Sequence, residues 1–190
     1  RSNKTDAEIM FIDDNKDLHG EEINEHKVVG GIDCLKNIAS PSVHIAIGHP
    51  DVKEKVANRI KTDSPTATFV NAIHSSAIVI DNAEIGVGVS IGANAIVNTN
   101  SKIDDFAIIN SGAIIEHDTS IGKYTSIAPG ACIGARCSVG EKSFICMNSS
   151  ILARVEIGDH CIIGMGSVVT KNIPTNTLAY GVPAKKIETL

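Results

Sequence analysis

The sequence predicts a mainly β protein, a triangular solenoid of short strands set behind a small α/β unit, and three observations carry that expectation. From Ile73 to Val169 every sixth residue is Ile or Val, seventeen positions in succession with no hexad inserted or lost. Two residues before these positions stand mostly small side chains, such as Ala77, Ala107, Thr125 and Cys161, and Gly often follows them, as at Gly86, Gly122 and Gly158. The chain of 190 residues also has no Trp, two Tyr and four Phe, so its core is Ile, Val and Ala, which suits a narrow and uniform interior. Neither a helical period nor the alternation of a plain strand repeats at six over such a length.

Each hexad reads as a short strand and a tight turn, with the branched aliphatic pointing inward and Gly or a small residue easing the corner. Three hexads make one coil of eighteen residues, giving between five and six coils. At the rung spacing of paired strands that is a column on the order of 25–30 Å tall.

Ahead of the column, "AEIMFIDDN" (Ala7 to Asn15) and "SVHIAIGHP" (Ser42 to Pro50) read as buried strands ending in turns, with "GEEINEHKVVGG" between them as a loop or weak strand. "PDVKEKVANRI" follows as a helix: Pro50 suits its first turn, Asp51 its positive end, and Val52, Val56 and Ile60 fall on one face. A strand, a Gly at its carboxyl end and a helix start make a plausible anion or nucleotide site. "KTDSPTATF" (Lys61 to Phe69) reads as a linker. Behind the column, Pro174 and Pro183 are expected to forbid further ladder, so that the tail caps the last coil. The division expected is 1–66 for the α/β domain, 67–171 for the column and 172–190 for the cap.

A formal charge of −5 and a pI near 5.8 argue against nucleic acid or an anionic membrane as partner. Polar residues interrupt every apolar run short of a membrane span, and the opening "RSNKTDAEIM" has neither a charged n-region nor an apolar h-region, nor a natural starting Met. The spacing of Cys34, Cys132, Cys137, Cys146 and Cys161 matches no zinc pattern, and they read as reduced thiols, mostly small buried side chains, in the cytoplasm.

The α/β start with "FIDD" and "IAIGHPDVKEKV", the unbroken column, "NSGAIIEHD" within it and "GVPAK" at its end together resemble the bacterial hexapeptide-repeat sugar acetyltransferases. These are the enzymes of the UDP-N-acetylbacillosamine pathway N-acetyltransferase and sialic acid O-acetyltransferase type, and the resemblance spans nearly the whole chain. It implies a left-handed parallel β-helix preceded by a partial Rossmann-like domain that binds a nucleotide-sugar. It further implies a cytoplasmic homotrimer with active sites between subunits, acetyl-CoA as donor, no metal, and a nucleotide-linked amino sugar of the UDP-4-amino type as acceptor. By that resemblance His117 is the general base and Asp118 raises its basicity. Ser126, Met147 and Met165 match positions expected to contact acetyl-CoA, whose phosphate Lys185 of the tail could meet, and Asp13, Asp14, Gly48 and Asn110 match positions expected to bind the substrate. Ser126 departs from the type member, which has His there. The family's opening strand and Gly-rich loop, which carries a His, have no counterpart before "AEIMFIDD".

The chemistry fits the residue. Acetyl transfer from a thioester needs an amine or hydroxyl that loses a proton as it attacks, and an imidazole titrates near working pH. Read without the resemblance, His117 is equally a corner residue exposed to water, Asp13 and Asp14 are turn formers, Lys185 and Lys186 are solvated lysines, and Met147 and Met165, eighteen apart, are surface filler. Other readings are sialic acid or other sugar O-acetylation, a γ-class carbonic anhydrase, and a non-catalytic scaffold. The zinc reading needs three converging His, yet His74, His117 and His160 stand forty-three residues apart, which is no multiple of six.

Overall fold

The computed structural model describes residues 8–190. Residues 1–7, including the start of the first expected strand at Ala7, lie outside the described residues.

The hexads fold as two-residue parallel strands in three sheets that close a triangular column. On the first face Ser90, Ile108, Ser126, Phe144 and Ile162 stack at intervals of eighteen; on the second, Ile78, Ile96, Ile114, Cys132, Ser150 and Val168; on the third, Glu84, Lys102, Ser120, Ser138 and Glu156. The second residue of each pair is the periodic Ile or Val, and from Ile91 to Val169 all of these are buried in one continuous core. Each buried Ile or Val contributes roughly 1.5–3 kcal/mol, and the backbone N–H and C=O groups of the strands pair from coil to coil. Gly122 and Gly134 have to be Gly because the next coil passes too close: a Cβ would sit 2.7 Å from Glu141 N and 2.6 Å from Ala153 N.

The expectation that all seventeen aliphatics share the interior fails at the lower end. Ile73 is 41% exposed, and Val79 and Ile85 are only partly buried, because no coil lies beneath them. The upper end also departs from expectation. Past Val169 the last coil is sixteen residues long instead of eighteen, so Ile173 bridges Ile157 and Ala179 pairs with Ile163. Pro174 therefore does not end the ladder. Thr177–Gly181 adds a parallel rung and then turns back antiparallel to Ala184–Thr189, which covers the edge.

The N-terminal lobe has less regular structure than expected. The first predicted strand is a single parallel bridge between Phe11 and Val28, with Ile9 and Phe11 exposed, because it pairs along one side only. The segment between the predicted strands forms a small antiparallel hairpin, Glu22–Ile23 with His26–Lys27. Ser42–Val43 is the only laddered part of the second predicted strand, and its partner is Thr68–Phe69, inside the stretch expected to be a linker. Helix α1 spans Pro50–Asp63 with Pro50 in its first turn. Its buried stripe is Lys53, Ala57 and Ile60, and Val52 faces solvent, so the face is rotated one position from the expected one.

The lobe is fixed to the corner between the third and first faces. Ile32, Leu35, Ile45, Ala57 and Ile60 pack on Phe106 and Tyr124, whose rings stack with centroids 5.1 Å apart, and Phe69 meets Phe106 edge-on at 4.9 Å. Lys53 is buried there with its Nζ donating to the Phe106 carbonyl at 3.3 Å, and burial pushes its pKa down to about 8. Lys142, one coil above Tyr124, reaches Glu54 of α1 at 2.6 Å and Asp51 at 3.6 Å.

Candidate functional site

His117 stands on the corner between the second and third faces. The turn there carries the chain from Ile115 to Ile121, both fully buried, and His117 and Asp118 at its apex project outward. Asp118 takes the left-handed corner conformation, φ +59°, which Asp accepts more readily than most side chains. Thr119 points inward and locks the turn: its hydroxyl donates to the Gly134 carbonyl at 3.0 Å and accepts from Cys137 N at 3.2 Å.

The His117 ring lies 2.8 Å, Nδ1 to Oδ2, from the carboxylate of Asp118. An ionised carboxylate only accepts hydrogen bonds, so Nδ1 carries the hydrogen and Nε2 is left with a free lone pair. Hydrogen bonds from His117 and then from Asn100 hold the Asp118 carboxyl below its usual range, which keeps it ionised. Arg136, one coil above, brings its Nε within 3.6 Å of Oδ2. The arrangement can take up a proton at Nε2 and stabilise the resulting imidazolium. Asn100 and Arg136 did not figure among the candidate residues of the sequence, although each lies eighteen from Asp118 and the period could have pointed to them.

A second constellation lies on the first face. The lobe segment from His44 to Gly48 crosses the column and leaves a cleft of about 320 Å3 lined by His44, Gly48, Ser90, Ile108 and Asn110. His44 bridges the Val70 carbonyl and the Ser90 hydroxyl, at 3.0 Å each, so lobe and column form both walls. Gly48 and Asn110, both expected from the resemblance to bind substrate, are therefore brought together. Ser126, expected from the resemblance to contact acetyl-CoA, is 4% exposed in this chain, and its hydroxyl donates to the Gly48 carbonyl at 3.2 Å, which ties the column to the lobe segment.

Met147 and Met165 stand one above the other on the corner between the first and second faces, exposed, with Gly166 N donating to the Met147 carbonyl at 2.9 Å. Lys185 is exposed in the C-terminal hairpin, opposite Tyr180. Asp13 closes its own turn by accepting from Asn15 N at 2.8 Å. Asp14, though half exposed, accepts from Ile32 N at 3.0 Å and from the Arg59 guanidinium at 2.6 Å, so its carboxylate is engaged within the lobe.

Within one chain the His117 corner and the Gly48–Asn110 cleft are not brought together. The whole second face separates them, and its outward side chains are mostly apolar: Ile78, Ile96, Ile114, Cys132 and Val168, with Ser150 the polar one. His74, His117 and His160 fall on three different corners, and no cluster of three metal-ligating side chains occurs among the described residues. All five cysteines are free, and burial raises the thiols of Cys132, Cys137, Cys146 and Cys161, which keeps them protonated and poor nucleophiles. No helix among the described residues is long and apolar enough to cross a membrane.

Comparison with known proteins agrees with this architecture. Residues 1–60 match the PglD N-terminal domain and residues 136–171 the bacterial transferase hexapeptide (six repeats). A variant of perosamine N-acetyltransferase from Caulobacter crescentus, solved with CoA and GDP-perosamine, is 31% identical, covers 94% of this chain and 84% of its own, and superposes with a TM-score of 0.88. The acetyltransferase domain of PglB from Neisseria gonorrhoeae FA1090, solved with acetyl coenzyme A, is 26% identical over 95% of this chain and 86% of its own, with a TM-score of 0.89. WeeI from Acinetobacter baumannii AYE is 28% identical over 94% and 85%, with a TM-score of 0.74. No curated protein sequence matches. With a triangular hexapeptide column, a PglD-type lobe and a 31% identical relative covered over most of its length, the chain belongs to the bacterial hexapeptide-repeat sugar acetyltransferases.

Proposed function

We propose that the protein transfers the acetyl group of acetyl-CoA to the amino group of a nucleotide-linked 4-amino sugar, with His117 as general base. The observation that carries this is the His117 to Asp118 hydrogen bond of 2.8 Å, which leaves a lone pair on Nε2 at a corner open to an incoming acceptor. The relatives support the choice of partners, since one is solved with CoA and GDP-perosamine and another with acetyl coenzyme A. The neutral sugar amine attacks the thioester carbonyl while Nε2 accepts its proton. The tetrahedral intermediate then expels the CoA sulfur, which leaves with the proton returned from the imidazolium. Asp118 stabilises the charged ring between these two steps.

Completion of the site needs a second column. A largely apolar second face lies between the His117 corner and the Gly48–Asn110 cleft, and packing that face against a neighbour in a homotrimer sets the corner of one subunit beside the cleft of the next. Met147 and Met165 then lie along the same groove as a track for pantetheine, with Lys185 above them toward the CoA phosphates. The lobe cleft with Gly48 and Asn110 takes the nucleotide-sugar, and Asp13 and Asp14 shape its loop. Five free thiols and a CoA thioester co-substrate favour the cytoplasm.

A panel of UDP-, GDP- and dTDP-linked 4-amino sugars with sialic acid, scored for CoA release, tests this reading, with a UDP-linked 4-amino sugar expected to react. His117→Ala is expected to lose at least about a hundredfold in kcat. Sialic acid as the sole acceptor would instead assign O-acetylation, and undiminished turnover by His117→Ala would remove the imidazole from the mechanism.

A further inference from the structure

We propose that Asn100 is a positioning residue for the proton transfer, aligned in turn by Asn82 and Thr99, through a one-way chain of hydrogen bonds that climbs the corner and ends on Asp118. This rests on the reading of His117 as the base. Thr99 Oγ1 donates to Asn82 Oδ1 at 2.7 Å, Asn82 Nδ2 to Asn100 Oδ1 at 2.7 Å, and Asn100 Nδ2 to Asp118 Oδ1 at 3.1 Å. The other oxygen of Asp118 faces His117 Nδ1 at 2.8 Å.

The direction of the chain follows from chemistry. A carboxylate has nothing to donate, so Asn100 must turn its NH2 group toward Asp118. Its carbonyl oxygen then faces the coil below, where only a donor is acceptable, and this turns the Asn82 amide the same way. The Asn82 oxygen in its turn accepts from the Thr99 hydroxyl. Each bond polarises the next toward Asp118.

The fold makes the alignment possible because Asn82, Asn100 and Asp118 occupy one position of successive coils, eighteen residues apart. Asn100 and Asp118 share the left-handed conformation, φ +55° and +59°, so their side chains leave parallel backbones in the same direction. With Oδ1 held by Asn100, Asp118 cannot rotate, and Oδ2 stays on His117. In water an imidazole left to itself favours the Nε2–H tautomer, which cannot accept the acceptor's proton. The relay therefore acts by holding the productive tautomer of His117.

Asn100→Gly is the informative variant, because Gly adopts φ +55° without strain while the amide is lost. Expected is a roughly tenfold fall in kcat, the size of one hydrogen bond to a charged group, with KM for acetyl-CoA and for the sugar nucleotide unchanged. In an Asp118→Ala background the same change is expected to do nothing further, since the relay has no other outlet. Imidazole 15N shifts of His117, assigned with His117→Ala, give a readout that needs no substrate: the Nδ1–H form dominates in the parent and the Nε2–H form gains in Asn100→Gly. An equal tautomer ratio in the two proteins, a loss confined to KM, or an equal loss in the Asp118→Ala background would overturn the proposal. A fully active His117→Ala would sink the underlying reading, and the relay with it. An inactive His117→Ala beside an unaffected Asn100→Gly would remove the relay alone.

Discussion

Two corners of the same column, built on the same backbone, do opposite things. Both place a residue with φ near +60° in each coil. Between the second and third faces those residues are Asn100, Asp118, Arg136 and Arg154, polar and solvent-facing, where each can hand a hydrogen bond or a charge to the next. Between the third and first faces they are Phe106, Tyr124, Lys142 and His160, and the two rings are buried under the lobe. A bulky aromatic in the left-handed region is unfavourable in isolation. It persists here because the corner points the ring directly at the lobe, where burial of an aromatic outweighs a strain of about 1–3 kcal/mol. The backbone thus supplies directions, and side-chain chemistry decides whether a direction becomes a site or an anchor.

The largest effect that would break this contrast is expected at the anchor. Phe106→Ala should cost about 4 kcal/mol, as the ring leaves a cavity between lobe and column, and denaturant unfolding measures it. The His117 imidazole signals should stay as they are; if they change, the corners are coupled.

Next is the buried Lys53, which belongs to the anchor corner. Its pKa is depressed from 10.5 to about 8 by burial, so from pH 8 to 10.5 the unfolded chain keeps a proton that the folded one has released. Stability should therefore rise with pH across that interval, by on the order of 3 kcal/mol at most. Lys53→Met should flatten the rise; a slope that survives the substitution would place its origin elsewhere.

The His117 corner follows. A hundredfold loss in His117→Ala is about 2.7 kcal/mol in the barrier, and its melting temperature should match the parent, because the side chain is exposed and outside both cores. A drop in melting temperature would make the corner structural after all. Smallest is Lys142→Met, which removes the ion pairs to Glu54 and Asp51 and should cost about 0.5 kcal/mol, declining with added salt.

Much of the column was legible because its physics is local and repeated. A branched aliphatic at every sixth position demands an interior at that period, and fourteen of the seventeen found one. The exceptions, Ile73, Val79 and Ile85, depend on whether another coil lies below, which no hexad encodes. The lobe was less legible because its short segments have little periodicity, and partners such as Thr68–Phe69 for Ser42–Val43 lie across the helix between them. The burial of Ser126 was illegible for a related reason: in the repeat it is an outward position like any other, and only the lobe crossing over it covers it with Gly48.

By itself the sequence determined the solenoid, its register and the presence of an imidazole beside a carboxylate on a corner, since all of these follow from spacing along the chain. The tertiary structure decided that Asp118 is clamped from below by Asn100, that Lys53 and Phe106 tie the lobe to one corner, and that the second face separates the His117 corner from the Gly48–Asn110 cleft. Those outcomes depend on which coils stack and which segment crosses which face, contacts between residues far apart in the chain whose energies local pattern does not carry.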